Sequence, residues 1–142
     1  MNTLNMKESS DNETFSDRLI STQEAIKEFQ QGRPIILVDD EDRENEGDIA
    51  IPAQFVTNEL VNFMVREARG LVCVPMTEKW ADNLGLSLMT EHGNAPLGTA
   101  FTISVEAASG VTTGISASDR AHTINVLANP KSISTDFTRH GH

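Results

Sequence analysis

The sequence predicts a layered α/β (α+β) fold in which helices pack on a mixed β-sheet. Three observations lead there. Segments with apolar residues at helical spacing alternate with short apolar runs of strand type. Cap residues stand at the helix starts and glycines at several of the ends. Two of the apolar runs, 35–38 and 49–51, are close enough in sequence to pair as a hairpin, which argues for a mixed sheet over a purely parallel one.

Taken in order, residues 1–17 are rich in Ser, Asn, Asp and Glu and read as a mobile arm, with one domain over 18–142. Ser21-Thr22-Gln23-Glu24 has capping-box spacing, Ala25, Ile26 and Phe29 give the following helix an apolar side, and Gly32 stops it before Arg33-Pro34. Ile35 to Val38 and Ile49 to Ile51 read as buried strands. Thr57 caps a helix whose core residues are Leu60, Val61, Met64, Val65 and Ala68. Leu71 to Pro75 is a short strand, and Thr77 caps a brief helix through Trp80 to Leu84. Residues 91–96 form a loop. Phe101, Ile103 and Val105 on one face, with Thr102, Ser104 and Glu106 on the other, give the clearest strand. Gly110 to Ile115 reads as a strand ending in a small-residue turn. Ser118 caps a helix from Asp119 to about Ala128. Met64, Met76, Met89 and Trp80 read as packing residues.

The chain of 142 residues is 38% apolar with a single Cys and no Tyr, which suits one globular domain without a disulfide framework. Nothing in it reads as a signal peptide or membrane span, and a cytoplasmic location is expected. A net charge of −10 argues against nucleic acid and anionic membranes as partners.

That charge is concentrated. The stretch Asp39 to Asp48 carries seven carboxylates and one arginine, and so six of the ten net negative charges. In an extended or open-loop conformation Asp40, Asp42, Glu44, Glu46 and Asp48 share one side. Five carboxylates in a row repel one another unless cations sit among them, and hard oxygen ligands suit Mg²⁺, Mn²⁺ or Ca²⁺. The bland alternative is a solvated acidic turn. An EF-hand loop started at Asp42 fails, because its twelfth position is Ala53 where a bidentate Glu is needed. A phosphoacceptor receiver domain would match Leu37-Val38-Asp39-Asp40 but needs a further Asp after a buried strand, and Asp82 is preceded by no such strand.

The stretch from Leu37 through Asp48, together with Gly98 to Thr102, Gly110 to Arg120 and the final Gly141-His142, closely resembles 3,4-dihydroxy-2-butanone 4-phosphate synthase. The match runs from about Ile20 to the last residue. The resemblance implies an enzyme of riboflavin biosynthesis, a homodimer that converts ribulose 5-phosphate to 3,4-dihydroxy-2-butanone 4-phosphate and formate with Mg²⁺ or Mn²⁺. It implies that Glu44 binds metal, that Arg43 and Asp48 contact the substrate, and that Thr112 and Thr113 form a threonine turn near the sugar. It makes His142 essential for activity, although a lone terminal histidine is ordinarily solvated. Asp40 and Glu46 lie on the Glu44 side of the stretch and join as candidates for second-metal or acid–base duty; Asp40 is taken with Glu44 as metal ligand, and Glu46 and Asp48 with His142 as the catalytic set. Cys73 is expected to be a small buried thiol, and Asp119-Arg120 a cap with a local ion pair. His92, His122 and His140, the last standing where relatives commonly have Pro, keep structural roles. Relatives carry a further Arg-x-Gly-His-Thr motif and a later Glu beyond the Gly-His step. The domain is therefore expected to be incomplete at its C-terminus, a fragment of a longer enzyme. The competing reading is a non-catalytic acidic module that binds divalent cations.

Overall fold

The computed structural model describes residues 19–40, 42–94 and 98–142. The expected N-terminal arm, Glu41 and the end of the 91–96 loop lie outside the described residues.

Helix formation follows local chemistry closely. Ser21 caps α1 (Thr22–Gln30), and its side chain and the Glu24 carboxylate satisfy each other's backbone N–H in a capping box. Thr57 caps α2 (Asn58–Glu67) by accepting from the Leu60 N–H at 3.3 Å, and Thr77 caps α3 (Glu78–Asn83) by accepting from the Trp80 N–H at 3.2 Å. The fourth helix, α4 (Ala117–Ala128), starts two residues earlier than its sequence suggests. Its cap is Ser116, not Ser118, and the Ser116 hydroxyl accepts from the Asp119 N–H at 3.0 Å.

Among the described residues the strands form two antiparallel ribbons, not one mixed sheet. β1 (Ile35–Val38) pairs with β2 (Gly47–Ala50), placing Ile35 opposite Ala50 and Val38 opposite Gly47. β3 (Val105–Ala107) pairs with β4 (Phe137–Arg139), placing Val105 opposite Arg139. A single bridge joins Leu88 to Thr102, all that forms in the first half of the expected 101–106 strand. Burial alternates along Leu71 to Met76 as in a strand, yet the segment has no ladder partner among the described residues. Residues 112–114 bend instead of extending, for a reason that belongs to the site.

α4 is the element the domain is built on. Its Ala121 and Ile124 join Val56 and Val61 of the α2 side in one core cluster. Its Leu127 joins Leu84, Leu86 and Phe137 in the second. Long-range hydrogen bonds lock these contacts. Asn125 donates to the Val56 carbonyl at 3.0 Å, Trp80 Nε1 to the Leu127 carbonyl at 3.0 Å, and Arg139 to the Leu84 carbonyl at 3.1 Å. Leu84 is fully buried at 0% exposure, so Leu84→Ala is expected to cost about 2–5 kcal/mol by transfer and cavity terms together. Urea unfolding that leaves its midpoint unchanged would show that the second cluster is not a working core.

The described residues of 19–50 bury little. α1 buries no residue, and Ile36, Leu37 and Val38 of β1 are exposed, so β1 is not the buried strand its composition suggests. An open apolar groove of about 510 Å³ runs between α1 and β1, lined by Ile26, Phe29, Ile35 and Leu37 among others. Ala68 and Met89 are likewise exposed, against their reading as core and packing residues. No helix among the described residues is long and apolar enough to cross a membrane.

Candidate active site

The acidic stretch is the loop of the β1–β2 hairpin, closed by a bond from the Asp39 N–H to the Glu46 carbonyl at 3.1 Å. Residues 42–44 turn, so the alternation of an extended strand gives way to a knot of local contacts. Asp39 is its hub. Its Oδ2 accepts from Arg43 Nη1 at 2.9 Å and from the Glu44 N–H at 3.0 Å, and its Oδ1 accepts from the Asp40 N–H at 2.8 Å. Only 14% of this side chain is exposed, against 40% for Glu44, which makes Asp39 the anchor and Glu44 the presented group. Arg43 bridges Asp39 and Glu44, holding the Glu44 carboxylate at 3.0 Å from its guanidinium. Asp40 caps its own turn by accepting from the Asp42 N–H at 3.2 Å. Glu46 and Asp48 are exposed.

Cys73 is exposed, not buried. Desolvation of its thiol raises its pKa above the ordinary 9.0, and the Asp48 carboxylate pushes it the same way. The thiol is therefore protonated at neutral pH and a poor nucleophile.

A second group of side chains gathers where the start of α4 meets the other ribbon. The Asp119 carboxylate draws in the 112–114 bend: Oδ2 accepts from Thr112 Oγ1 at 2.7 Å and from the Gly114 N–H at 3.1 Å, and Oδ1 accepts from the Thr112 N–H at 3.2 Å. These bonds spend the amides that a strand over 110–115 would have given to a ladder. Asp119 is buried at 5% exposure and forms no ion pair with Arg120, so the expected cap and local ion pair is instead a clamp on the threonine turn. Arg120 keeps a buried Nε with no hydrogen-bond acceptor among the described residues.

The Thr112 hydroxyl, then the Thr112 amide, the Ser116 hydroxyl and the Gly114 amide, hold Asp119 below its ordinary value of 3.8 against the opposing effect of burial. Folding lowers this pKa, so its contribution to stability is complete above the unfolded value and is lost as pH falls through the folded one. The urea midpoint is expected to decline as pH drops below about 5, and Asp119→Asn to remove part of that decline. Superimposable pH slopes for the two proteins would refute the clamp.

Above the bend, His142 Nδ1 lies 3.2 Å from Glu106 Oε2. A carboxylate only accepts, so Nδ1 carries the proton and Nε2 is left to act as acceptor or base. Gly114 packs beneath both: a Cβ added there would collide with Glu106 and meet His142 Nδ1 at 3.0 Å. Its φ of +83° disfavours a side chain as well. His122 bonds the Ser109 carbonyl at 3.0 Å and His92 is exposed, in keeping with structural roles.

The structure therefore brings Thr112 and His142 into one group and Arg43, Glu44 and Asp40 into another. No hydrogen bond or ion pair among the described residues links the two groups. Thr113 is exposed at the bend. Two residues escaped the sequence reading. Glu106 was visible only as a lone acid on the polar face of a strand, and Asp39 as one carboxylate among seven.

One ribbon carries carboxylate oxygens on its loop, and beside the other an imidazole meets a carboxylate. Comparison with known proteins gives the chain its family. A family model described as 3,4-dihydroxy-2-butanone 4-phosphate synthase matches residues 23–142, and the chain belongs to that family. It is 51% identical over 119 residues to the 3,4-dihydroxy-2-butanone 4-phosphate synthase of Pseudomonas aeruginosa, covering 84% of this chain and 33% of that protein. It is 50% identical over 125 residues to a riboflavin biosynthesis protein of Mycobacterium ulcerans, covering 88% of this chain and 29% of that one. A synthase crystal structure in complex with two magnesium ions superposes with a TM-score of 0.85 at 42% identity, covering 87% of this chain and 58% of that chain. The chain thus spans about a third of the length of the curated relatives it matches. These similarities bear out the α+β class and the family resemblance.

Proposed function

We propose that this chain supplies a large part of the site of a lyase that converts D-ribulose 5-phosphate to 3,4-dihydroxy-2-butanone 4-phosphate and formate in riboflavin biosynthesis, in the cytoplasm. The observation that carries the reading is the Glu106–His142 pair seated on the threonine turn, in a chain that belongs to the synthase family.

The donor chemistry of the acidic hairpin fits Mg²⁺ or Mn²⁺, since Glu44, Asp40, Glu46 and Asp48 all offer carboxylate oxygens and Glu44 and Glu46 are exposed. Among the described residues no three His, Cys, Asp or Glu side chains converge on one point, so Glu44 with Asp40 provides only part of a coordination sphere. When bound, the cation lowers the cost of negative charge developing on the sugar's oxygens.

The chain's own residues supply the rest. Arg43 and Asp48 hold the substrate at the hairpin. Glu46 and Asp48 exchange protons with the ketose as it forms an enediol. His142, with its tautomer set by Glu106, serves as a base or acid through Nε2. Thr112 and Thr113 contact the sugar. The homodimer implied by the resemblance belongs to this reading, and the apolar Ile36, Leu37 and Val38 exposed on β1 give a second copy a surface to cover.

The test is formate release from ribulose 5-phosphate, with Mg²⁺ and again with EDTA, in this chain and in the same sequence extended by the segment that follows its counterpart in the Pseudomonas relative. Metal-dependent formate from either supports the reading. No formate from both, or release indifferent to EDTA, sinks it. The concentration of seven carboxylates in Asp39 to Asp48 supports one second reading, a non-catalytic cation-binding module, which predicts Mg²⁺ binding at 40–48 with no formate from either protein.

A further inference from the structure

We infer that Arg43 is the built-in counter-cation of Glu44: it stands in for the divalent ion on this carboxylate while the site is empty, and arrival of the ion releases it toward the substrate. The inference rests on the proposed sugar-phosphate site and adds to it how the cation and the substrate are coupled.

Among the seven carboxylates of Asp39 to Asp48, Arg43 is the one cationic side chain. The hairpin sets it against two of them at once. Its Nη1 donates to Asp39 Oδ2 at 2.9 Å and lies 3.0 Å from Glu44 Oε2. The two contacts are unequal. Asp39 also accepts from the Asp40 and Glu44 amides and is 14% exposed, so its carboxylate is fixed in the turn. The Glu44 carboxylate is 40% exposed, and among the described residues its partner is Arg43. An exposed pair of this kind is weak. A guanidinium spreads one charge over three nitrogens, whereas a divalent ion brings two charges to one point. The Glu44 end therefore opens to the ion, and Asp39 keeps the arginine on the hairpin with donors set free for a substrate oxygen. The coupling is reciprocal: whatever draws Arg43 off Glu44 strengthens binding of the ion, and the ion strengthens binding of whatever Arg43 then holds.

The first probe is Mg²⁺ alone, titrated into this chain and followed by NMR at the Glu44 amide and the Arg43 side chain. Arg43→Gln removes the charge and keeps an amide that can still donate to Asp39. It is expected to bind Mg²⁺ about two- to fivefold more tightly than the unmodified chain, the worth of one exposed ion pair. The gain should shrink in high salt, which screens the pair. Arg43→Lys, which keeps the charge, should bind Mg²⁺ like the unmodified chain, and so should Arg33→Gln, which loses an exposed ion pair with Glu28 of α1. In the unmodified chain saturating Mg²⁺ should quicken rotation of the Arg43 guanidinium, read as exchange between its two Nη signals, because one of its two carboxylates has gone. In the sequence extended as for formate release, Mg²⁺ should tighten binding of ribulose 5-phosphate, and Arg43→Gln should reduce that tightening by about two- to fivefold.

Arg43→Gln binding Mg²⁺ no more tightly than the unmodified chain, Mg²⁺ binding that leaves Arg43 rotation unchanged, or undiminished tightening of ribulose 5-phosphate in Arg43→Gln overturns the inference. The expected Mg²⁺ results with no binding of ribulose 5-phosphate leave the exchange at Glu44 standing and overturn the proposed function. No Mg²⁺ binding at Glu44 in either sequence overturns both.

Discussion

Glu44→Ala is expected to lower metal-dependent formate release by about a thousandfold or more, a barrier increase of roughly 4 kcal/mol. The magnitude follows from how the hairpin is organised. Asp39 spends its carboxylate on Arg43 and on the amides of Asp40 and Glu44, so it cannot turn outward to replace a lost ligand. Asp40 is partly committed to the Asp42 amide. Glu44 is the side chain this turn holds outward, and among the described residues its neighbour of opposite charge is Arg43 at 3.0 Å. That contact restrains the carboxylate while it is free, and a cation arriving at Glu44 competes with it. Calorimetry with Mg²⁺ should accordingly show weaker binding in Glu44→Ala, and Glu44→Gln should resemble Ala because a neutral amide oxygen gives up the charge that a hard cation needs. Formate release within about threefold of the unmodified protein would remove Glu44 as the proposed metal ligand, a change too small for a lost ligand.

What could be read in the residues divides by the range of the interactions involved. α1, α2 and α3 were legible because Ser21, Thr57 and Thr77 bond the amide three residues on, a relation that composition alone reveals. The start of α4 was missed by two residues because Ser116 and Ser118 qualify equally well locally. The choice falls to Ser116 because Asp119, in the first turn, is also recruited by Thr112. Ladders are decided by partners far away in sequence. Leu71 to Met76 alternates like a strand and finds no partner among the described residues, and 112–114 bends because a buried carboxylate outbids a neighbouring strand for its amides. The site divides similarly. The acidic hairpin stood out as a concentration of charge, but only the folded turn distinguishes Asp39 as anchor from Glu44 as the presented group. Glu106 acquires its meaning only when β4 brings His142 back across β3.

The same return of the chain makes Gly141→Ala the substitution with the largest expected effect on the fold. A Cβ at Gly141 would run into the backbone N of Glu106 and the carbonyl carbon of Val105, and would lie 2.7 Å from the Val105 carbonyl oxygen. All three are main-chain atoms of β3, so no side chain can swing aside, and relief requires β4 and the residues after it to move off β3. Separation breaks the Val105–Arg139 pairing and pulls on Arg139, whose guanidinium bonds the Leu84 and Gly85 carbonyls beside the second core cluster. Overpacking against a movable side chain costs about 1–3 kcal/mol, and an immovable backbone places this case at about 3 or above. The thermal midpoint should fall by roughly 10 °C or more. His142, one residue on, would leave Glu106, and its ring resonances should lose their response to Glu106→Gln. Gly93→Ala is the control, because a Cβ there meets only Thr90 Cγ2 at 3.7 Å, an ordinary contact, and its melting should match the unmodified chain within about 0.5 kcal/mol. If Gly141→Ala melts with the control, the close crossing of β3 by residue 141 does not exist, and neither does the imidazole–carboxylate pair it positions. The glycine before His142 is therefore required by a main-chain crossing that admits no side chain, and the histidine's place over the threonine turn depends on that crossing.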